Sequence, residues 1–187
     1  DMKGLMKSAY YDPNPVVMFE HKGLYWSKVP GTDAAKTLEP DEDYLVPFGK
    51  ARVALEASEE AVERGETVGV VTYGMGVYWA MNAAKNLPGQ VEVLDLRTLA
   101  PYDEEAIVSI TKKHGKVLIL TEETLRNSFA EALAGRISQQ CFQFLDAPIR
   151  TMGSLDVPAV PLNASMEAVM LPNADKVEVV LREMLAD

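Results

Sequence analysis

The chain has 187 residues, 48% hydrophobic and 25% charged, with 12 glycines and 11 prolines, a globular composition and not a disordered, collagen-like or disulfide-scaffold one. Eighteen basic against 28 acidic residues leave a formal charge of −10; this argues against nucleic acid and anionic membrane surfaces and favours a basic protein partner, unless the acidity only aids solubility. One cysteine, Cys141, and two histidines, His21 and His114, exclude an internal disulfide and a cysteine zinc site, and with no apolar run near ~20 residues and no signal peptide after the acidic Asp1, a reducing cytosol is the expected compartment.

In chain order, Met2 to Tyr11 reads as a short helix without an evident cap, stopped by Asp12-Pro13-Asn14-Pro15. Val16-Val17-Met18-Phe19 reads as a wholly apolar strand of a sheet covered on both faces. One helix and one strand cannot bury a core. Residues 1–21 are therefore expected to be a remnant of an upstream domain, mobile, swapped or repacked on another chain. Residues 22–47 hold Pro30, Gly31, Pro40, Pro47 and the acidic cluster Glu39-Pro40-Asp41-Glu42-Asp43, and read as a linker.

Residues 48–187 alternate strand and helix. Ala51 to Glu56 has the partial alternation of an edge strand, and Ser58 to Gly65 reads as a hairpin excursion or a helical turn. Val68 to Tyr73 is a buried strand, Gly74-Met75-Gly76 a turn, and Val77 to Leu87 a helix closed by Pro88-Gly89. Val91 to Leu96 is the next strand. Asp103, near an N-cap, opens a helix that stops at His114-Gly115. Lys116 to Thr121 is a third buried strand, Asn127 to Leu145 a long helix ended by Asp146-Ala147-Pro148, Ile149 to Gly153 a last strand, and Asn173 to Leu185 a terminal helix. This alternation implies a mostly parallel sheet with helices on both faces, a three-layer α/β domain.

No complete active site emerges from these residues. Gly74-Met75-Gly76 stands where phosphate loops stand, but the third glycine of a dinucleotide pattern would fall on Trp79, so a tight turn is the simpler reading. Glu122-Glu123 follows a strand and could do acid–base work, or could simply favour the dipole of the next helix. His21 could be a general acid–base or a strand-end residue; His114 reads as a cation at a helix C-terminus, and Cys141 as a buried small hydrophobe. Ser8, Ser128 and Ser165 lack a nucleophile elbow, and no Walker loop is present.

The order of several segments adds a resemblance. Asp12 to Lys22 (DPNPVVMFEHK) resembles the end of the pyrimidine-binding domain in the beta component of thiamine-diphosphate-dependent 2-oxo acid dehydrogenases. Val46-Pro47-Phe48-Gly49-Lys50-Ala51, Val71 to Gly74, Val93 to Asp103, Phe144 to Ile149 and Leu171 to Ala174 are similar to that component's transketolase C-terminal domain, in the family's order. The branched-chain (2-oxoisovalerate) type is the best match, with the pyruvate type next. Two departures stand out: Glu56 to Glu66 is longer than the usual connection, and Thr124-Leu125-Arg126-Asn127-Ser128 replaces the usual glycine-rich segment.

The resemblance implies a mixed five-stranded sheet between helices, its first strand antiparallel to the rest. It implies that the whole enzyme decarboxylates a branched-chain 2-oxo acid on thiamine diphosphate and Mg, then passes the acyl group to a lipoyl acyltransferase. The cofactor motif and the activating glutamate belong outside this chain, which carries no Gly-Asp-Gly; no catalytic, cofactor or metal residue is assigned here, and the chain alone is expected to be inactive. The implied partners are a second beta copy, an alpha component or fused alpha domain, and the small basic subunit-binding domain of the acyltransferase. Asp146 and the C-terminal Asp187 match the positions that would face Arg or Lys of that domain, although Asp146 could equally cap the turn before Pro148. A free-standing α/β interaction or small-ligand module is the alternative, since fold does not fix function.

Overall fold

The computed structural model describes residues 1–26 and 29–187; Ser27 and Lys28, part of the linker reading, lie outside the described residues. Five strands, β1 (Arg52–Leu55), β2 (Val68–Thr72), β3 (Val91–Asp95), β4 (Val117–Thr124) and β5 (Arg150–Ser154), form one sheet in the order β1-β3-β2-β4-β5. β1 runs antiparallel to β3, with Arg52 opposite Asp95 and Val53 opposite Leu94. The other pairings are parallel. The mixed sheet with one antiparallel strand is the one the family resemblance implied.

Period-two alternation sends Val68 and Val70 to one face of β2 and Val71 to the other. Val68 and Val70 pack with Val77, Ala80 and Ala83 of α4 (Met75–Ala84) and with Val177, Leu181 and Met184 of α8 (Ala174–Ala186). On the opposite face, Val71 and Ile119 pack with Ile107 and Ile110 of α5 (Glu104–His114) and with Leu133, Ile137 and Cys141 of α6 (Phe129–Cys141). The crossover from β2 to β3 runs one way along the sheet and that from β3 to β4 the other; a fixed crossover hand then puts α4 and α5 on opposite faces.

Local chemistry sets the helix ends. The Asp103 carboxylate accepts from Ala106 N–H at 3.1 Å, capping α5, and from Ala51 N–H at 3.0 Å, tying that cap to the first strand. Gly115 ends α5 at φ +64°, a left-handed conformation that suits glycine. Ser128 caps α6 and Asn173 caps α8 through their side-chain oxygens.

Several elements differ from the sequence reading. Val16–Phe19 forms no strand: Val17 is 78% and Phe19 89% exposed, because no neighbouring strand is present to pair with them. α1 (Met2–Tyr11) is docked on its own chain. Its Gly4 is buried against Tyr44 and Val46, Ser8 Oγ donates to Val46 O at 2.6 Å, and Arg97 Nη1 donates to Asp1 Oδ1 at 3.2 Å. The stretch 22–47 contains a turn of helix, α2 (Lys22–Tyr25), and a 3₁₀ turn at Asp33–Ala35, with Thr32 and Val46 buried. The Ser58–Gly65 region is the short helix α3 (Glu59–Glu63), capped by Ser58. α4 begins at Met75, so Gly76 already lies in the helix, and α6 stops at Cys141 before a 3₁₀ turn at Phe142–Phe144. α7 (Ala164–Met170), capped by Asn163, had no counterpart in the sequence reading. Where the glycine-rich segment was missing, Asn127 adopts φ +57°, a conformation asparagine tolerates better than most residues.

Candidate functional site

Open α/β sheets place ligands at the carboxyl ends of strands where the winding direction reverses. Here that point lies between β2 and β4, and a cleft of about 330 Å³ opens there. Met75 and Trp79 of α4, Glu122 of β4, Glu167 of α7 and the Leu171-Pro172-Asn173 link line it, together with His21 and Val29.

The fold brings His21 to Glu122, 101 residues away, with Nε2 and Oε2 3.1 Å apart. Both side chains are about one-third exposed. His21 Nδ1 is buried without a hydrogen-bond partner, and a Cβ placed on Gly23 would come within 3.3 Å of it. One ring nitrogen is thus engaged by a carboxylate and the other covered by α2. The pair is a clasp holding the segment before α2 against the sheet.

Glu122 and Glu123 point to opposite faces, as successive strand residues must. Glu123 Oε1 accepts from Phe129 N–H at 3.0 Å and from Tyr73 Oη at 3.0 Å. This is the helix-start role anticipated for the pair, fulfilled by one member only. Tyr73 Oη also meets Thr121 Oγ1 at 2.7 Å, and burial, with the Glu123 charge beside it, pushes the phenol up to about 12.

Trp79 packs where a third phosphate-loop glycine would stand, and Gly74 (φ +57°) makes the turn into α4. Two carboxylates and one imidazole line the cleft, with no lysine or arginine among the described residues. Among the described residues, no group of three or more His, Cys, Asp or Glu could hold a metal ion, and no helix is long and apolar enough to cross a membrane.

His114 requires a correction. It is the last residue of α5, but its ring is fully buried instead of capping the helix end from the surface. Nδ1 meets Thr67 Oγ1 at 2.7 Å and Nε2 lies 3.5 Å from Glu92 Oε2. Lys113 also binds Glu92. Burial alone would raise the Glu92 carboxyl, but the His114 and Lys113 contacts outweigh it and hold it at about 2. Cys141 is fully buried, as read from its apolar helix, and burial pushes its thiol up. Ser8 and Ser128 are used in a backbone bond and a cap, and the Ser165 N–H donates to the Asn163 cap.

Asp146 and Asp187 are both exposed. The Asp146 N–H donates to Gly115 O at 2.9 Å, while among the described residues no donor reaches its carboxylate. Arg150 Nη1 meets Glu183 Oε2 at 2.8 Å, joining the last turn of α8 to the first residue of β5. Asp146 and Asp187 each stand four residues in sequence from that pair, Asp146 from Arg150 and Asp187 from Glu183. The sequence reading missed the aromatic character of this corner, where Phe142 is 79% exposed. Phe144, on the same turn, carries Lys112 Nζ 4.7 Å from its ring centroid.

A three-layer α/β domain with this mixed sheet defines the class, and a solved "Split gene transketolase, inactive beta4 tetramer" shares the fold. It superposes with a TM-score of 0.60 over 78% of this chain and 45% of its own, at 20% identity. Residues 57–177 match the family described as "Transketolase, C-terminal domain", and the chain belongs to that family. Over 187 residues it is 40% identical to the 2-oxoisovalerate dehydrogenase subunit beta of Bacillus subtilis (strain 168), covering 98% of this chain and 53% of that protein. Over 182 residues it is 36% identical to the pyruvate dehydrogenase E1 component subunit beta of Rhizobium meliloti (strain 1021), covering 95% of this chain and 36% of that protein. The chain therefore spans about half or less of the length of these curated relatives.

Proposed function

We propose that the chain is part of the beta subunit of a cytoplasmic thiamine-diphosphate-dependent 2-oxo acid dehydrogenase of the branched-chain type. In this reading residues 1–21 belong with an upstream pyrimidine-binding domain and residues 22–47 link it to the domain at 48–187. The part described here serves assembly, with a second beta copy and an alpha component, and docking to the basic subunit-binding domain of the lipoyl acyltransferase. One observation carries the reading. The likeness to a dehydrogenase beta subunit covers 98% of the chain, and so reaches well outside residues 57–177, where the domain family matches. A module that shared only the domain would lose that likeness upstream of it. The free carboxylate of Asp146 and the exposed Asp187 support the docking role.

The test has two arms. The purified chain, given thiamine diphosphate, Mg²⁺ and 3-methyl-2-oxobutanoate, is expected to release no carbon dioxide; turnover by the chain alone overturns the assembly role. The same chain is expected to bind the isolated subunit-binding domain in calorimetry, and no binding at low salt overturns the docking role. A second reading, the pyruvate type, is favoured by the 36% identity to a pyruvate dehydrogenase beta subunit. The ratio of kcat/KM for 3-methyl-2-oxobutanoate and pyruvate, measured on the full enzyme, separates the two.

A further inference from the structure

Arg97 holds a backbone conformation that few residues other than glycine adopt, φ +57°. Such strain persists only where the surroundings over-determine it. Its amide donates to Asp95 Oδ1 at 3.1 Å, which fixes the turn after β3. The side chain is mostly buried, and all three guanidinium nitrogens are engaged. Nε and Nη2 donate to Lys50 O at 3.0 and 2.7 Å, Nη2 also reaches Ala51 O at 3.3 Å, and Nη1 donates to Asp1 Oδ1 at 3.2 Å. Tyr44 Oη donates to the same Asp1 oxygen at 3.0 Å, and Arg52 Nε lies 3.5 Å from the other. One guanidinium thus joins the residue before α1, the link that leads into β1, and the carboxyl end of β3.

Apolar packing does little to hold α1. Gly4 is its one buried residue, while Met6 is 52% and Tyr10 84% exposed. Among the described residues, its other long-range polar contacts, from Lys3, Lys7 and Ser8, reach only the link at Glu39, Pro40, Glu42 and Val46. We propose that Arg97 is a latch between domains: by gripping Asp1 and the link carbonyls together it makes α1 move as one body with the sheet, and so sets the pose of the chain that precedes α1. The proposal rests on the reading above that residues 1–21 belong with an upstream domain, and adds that the pose of that domain is fixed from this side. The position calls for arginine, whose planar fork presents donors along two edges at once, as a compact ammonium does not.

The experiment is hydrogen exchange by mass spectrometry on the wild-type chain, Arg97→Lys, Arg97→Gly and Asp1→Ala. Exchange in α1 should rise about 10-fold in each variant, the scale of one charge-assisted hydrogen bond, while β2 and β4 keep wild-type protection. Arg97→Gly discriminates, because glycine relieves the positive φ and a residue serving the turn alone would tolerate it. Wild-type exchange of α1 in Arg97→Gly therefore overturns the latch. Equal loss of protection in α1 and β2 also overturns it, since Arg97 would then support the whole fold. Adding Asp1→Ala to Arg97→Lys should raise exchange no further, the mark of a direct pair; additive effects overturn the pairing. In the full beta subunit, Arg97→Lys should broaden the distance distribution between spin labels on the upstream domain and on exposed Val179 of α8, and an unchanged distribution overturns the claim on pose. No readout here uses turnover or partner binding, so failure of the latch leaves the assembly and docking reading standing. A full gene product without an upstream domain overturns that reading, and the claim on pose with it, but not the latching of α1.

Discussion

His21 Nε2 and Glu122 Oε2 lie 3.1 Å apart, joining the segment that precedes the sheet to the carboxyl end of β4. The contact is part-exposed, so its contribution to global stability is small, roughly 0–1 kcal/mol. Its effect is local. Glu122→Gln is expected to leave the melting temperature within about 4 °C of wild type. Amides of residues 17–26 should exchange faster and proteolytic nicking near Glu20 should increase. Unchanged exchange in that segment removes the clasp role. His21→Gln should produce the same local pattern, because it breaks the same contact from the other side.

At the opposite end of the sheet, the Glu92 carboxyl is held at about 2, well below the ordinary glutamate value of 4.5. A folded-state pKa below the unfolded one stabilises the fold above the unfolded value and loses that contribution as pH falls through the folded value. The window is therefore about pH 4.5 down to about 2. Glu92→Gln is expected to cost on the order of 2 kcal/mol or more at pH 7, since it also leaves Lys113 without its counter-charge. Urea melts should show this deficit at pH 7 and a smaller one at pH 3. A deficit of equal size at both pH values would contradict the ion-pair account.

Gly76, one residue into α4, lies so close to Thr72 that an added Cβ would overlap Thr72 Oγ1. That hydroxyl is buried and makes no hydrogen bond. Gly76→Ala is thus expected to destabilise by roughly 1–3 kcal/mol through overpacking, despite alanine's higher helix propensity. Thr72→Ala removes the obstructing atom and should rescue most of the loss in the double variant. A double-mutant cycle in denaturant melts measures the coupling; simple additivity would place the strain elsewhere.

How much of this was legible in the sequence depends on how locally it is encoded. The Asp103 cap and the Gly115 stop bracket the 11 residues of α5, and both were readable because each acts on its own helix end. The antiparallel β1 followed from the family resemblance and not from its alternation, which any edge strand could share. Val16–Phe19 has the composition of a buried strand, yet burial needs a neighbour that pattern alone cannot supply. His114 sits where a cation suits the dipole, and only the tertiary approach of Thr67 and Glu92 turns it inward. The Asn163 cap was the available signal for α7, easily passed over in a helix of seven residues. Nothing local announces the His21–Glu122 contact, because the partners are 101 residues apart.

The free Asp146 carboxylate gives the docking role its own test. The turn-capping alternative would require donors on that carboxylate, and among the described residues the Asp146 backbone N–H, not its side chain, makes the turn's contact, to Gly115 O at 2.9 Å. Asp146→Asn is therefore expected to leave the melting temperature unchanged within about 2 °C. It should weaken binding of the basic subunit-binding domain by about 10-fold, the scale of one charge-assisted contact. The loss should shrink at high salt if the pair is exposed at the rim, and persist if the partner covers it. Removing Asp187 should add a further loss, since it takes away a second exposed carboxylate. A lowered melting temperature with unchanged affinity would instead make Asp146 a turn residue and leave Asp187 to account for the attraction.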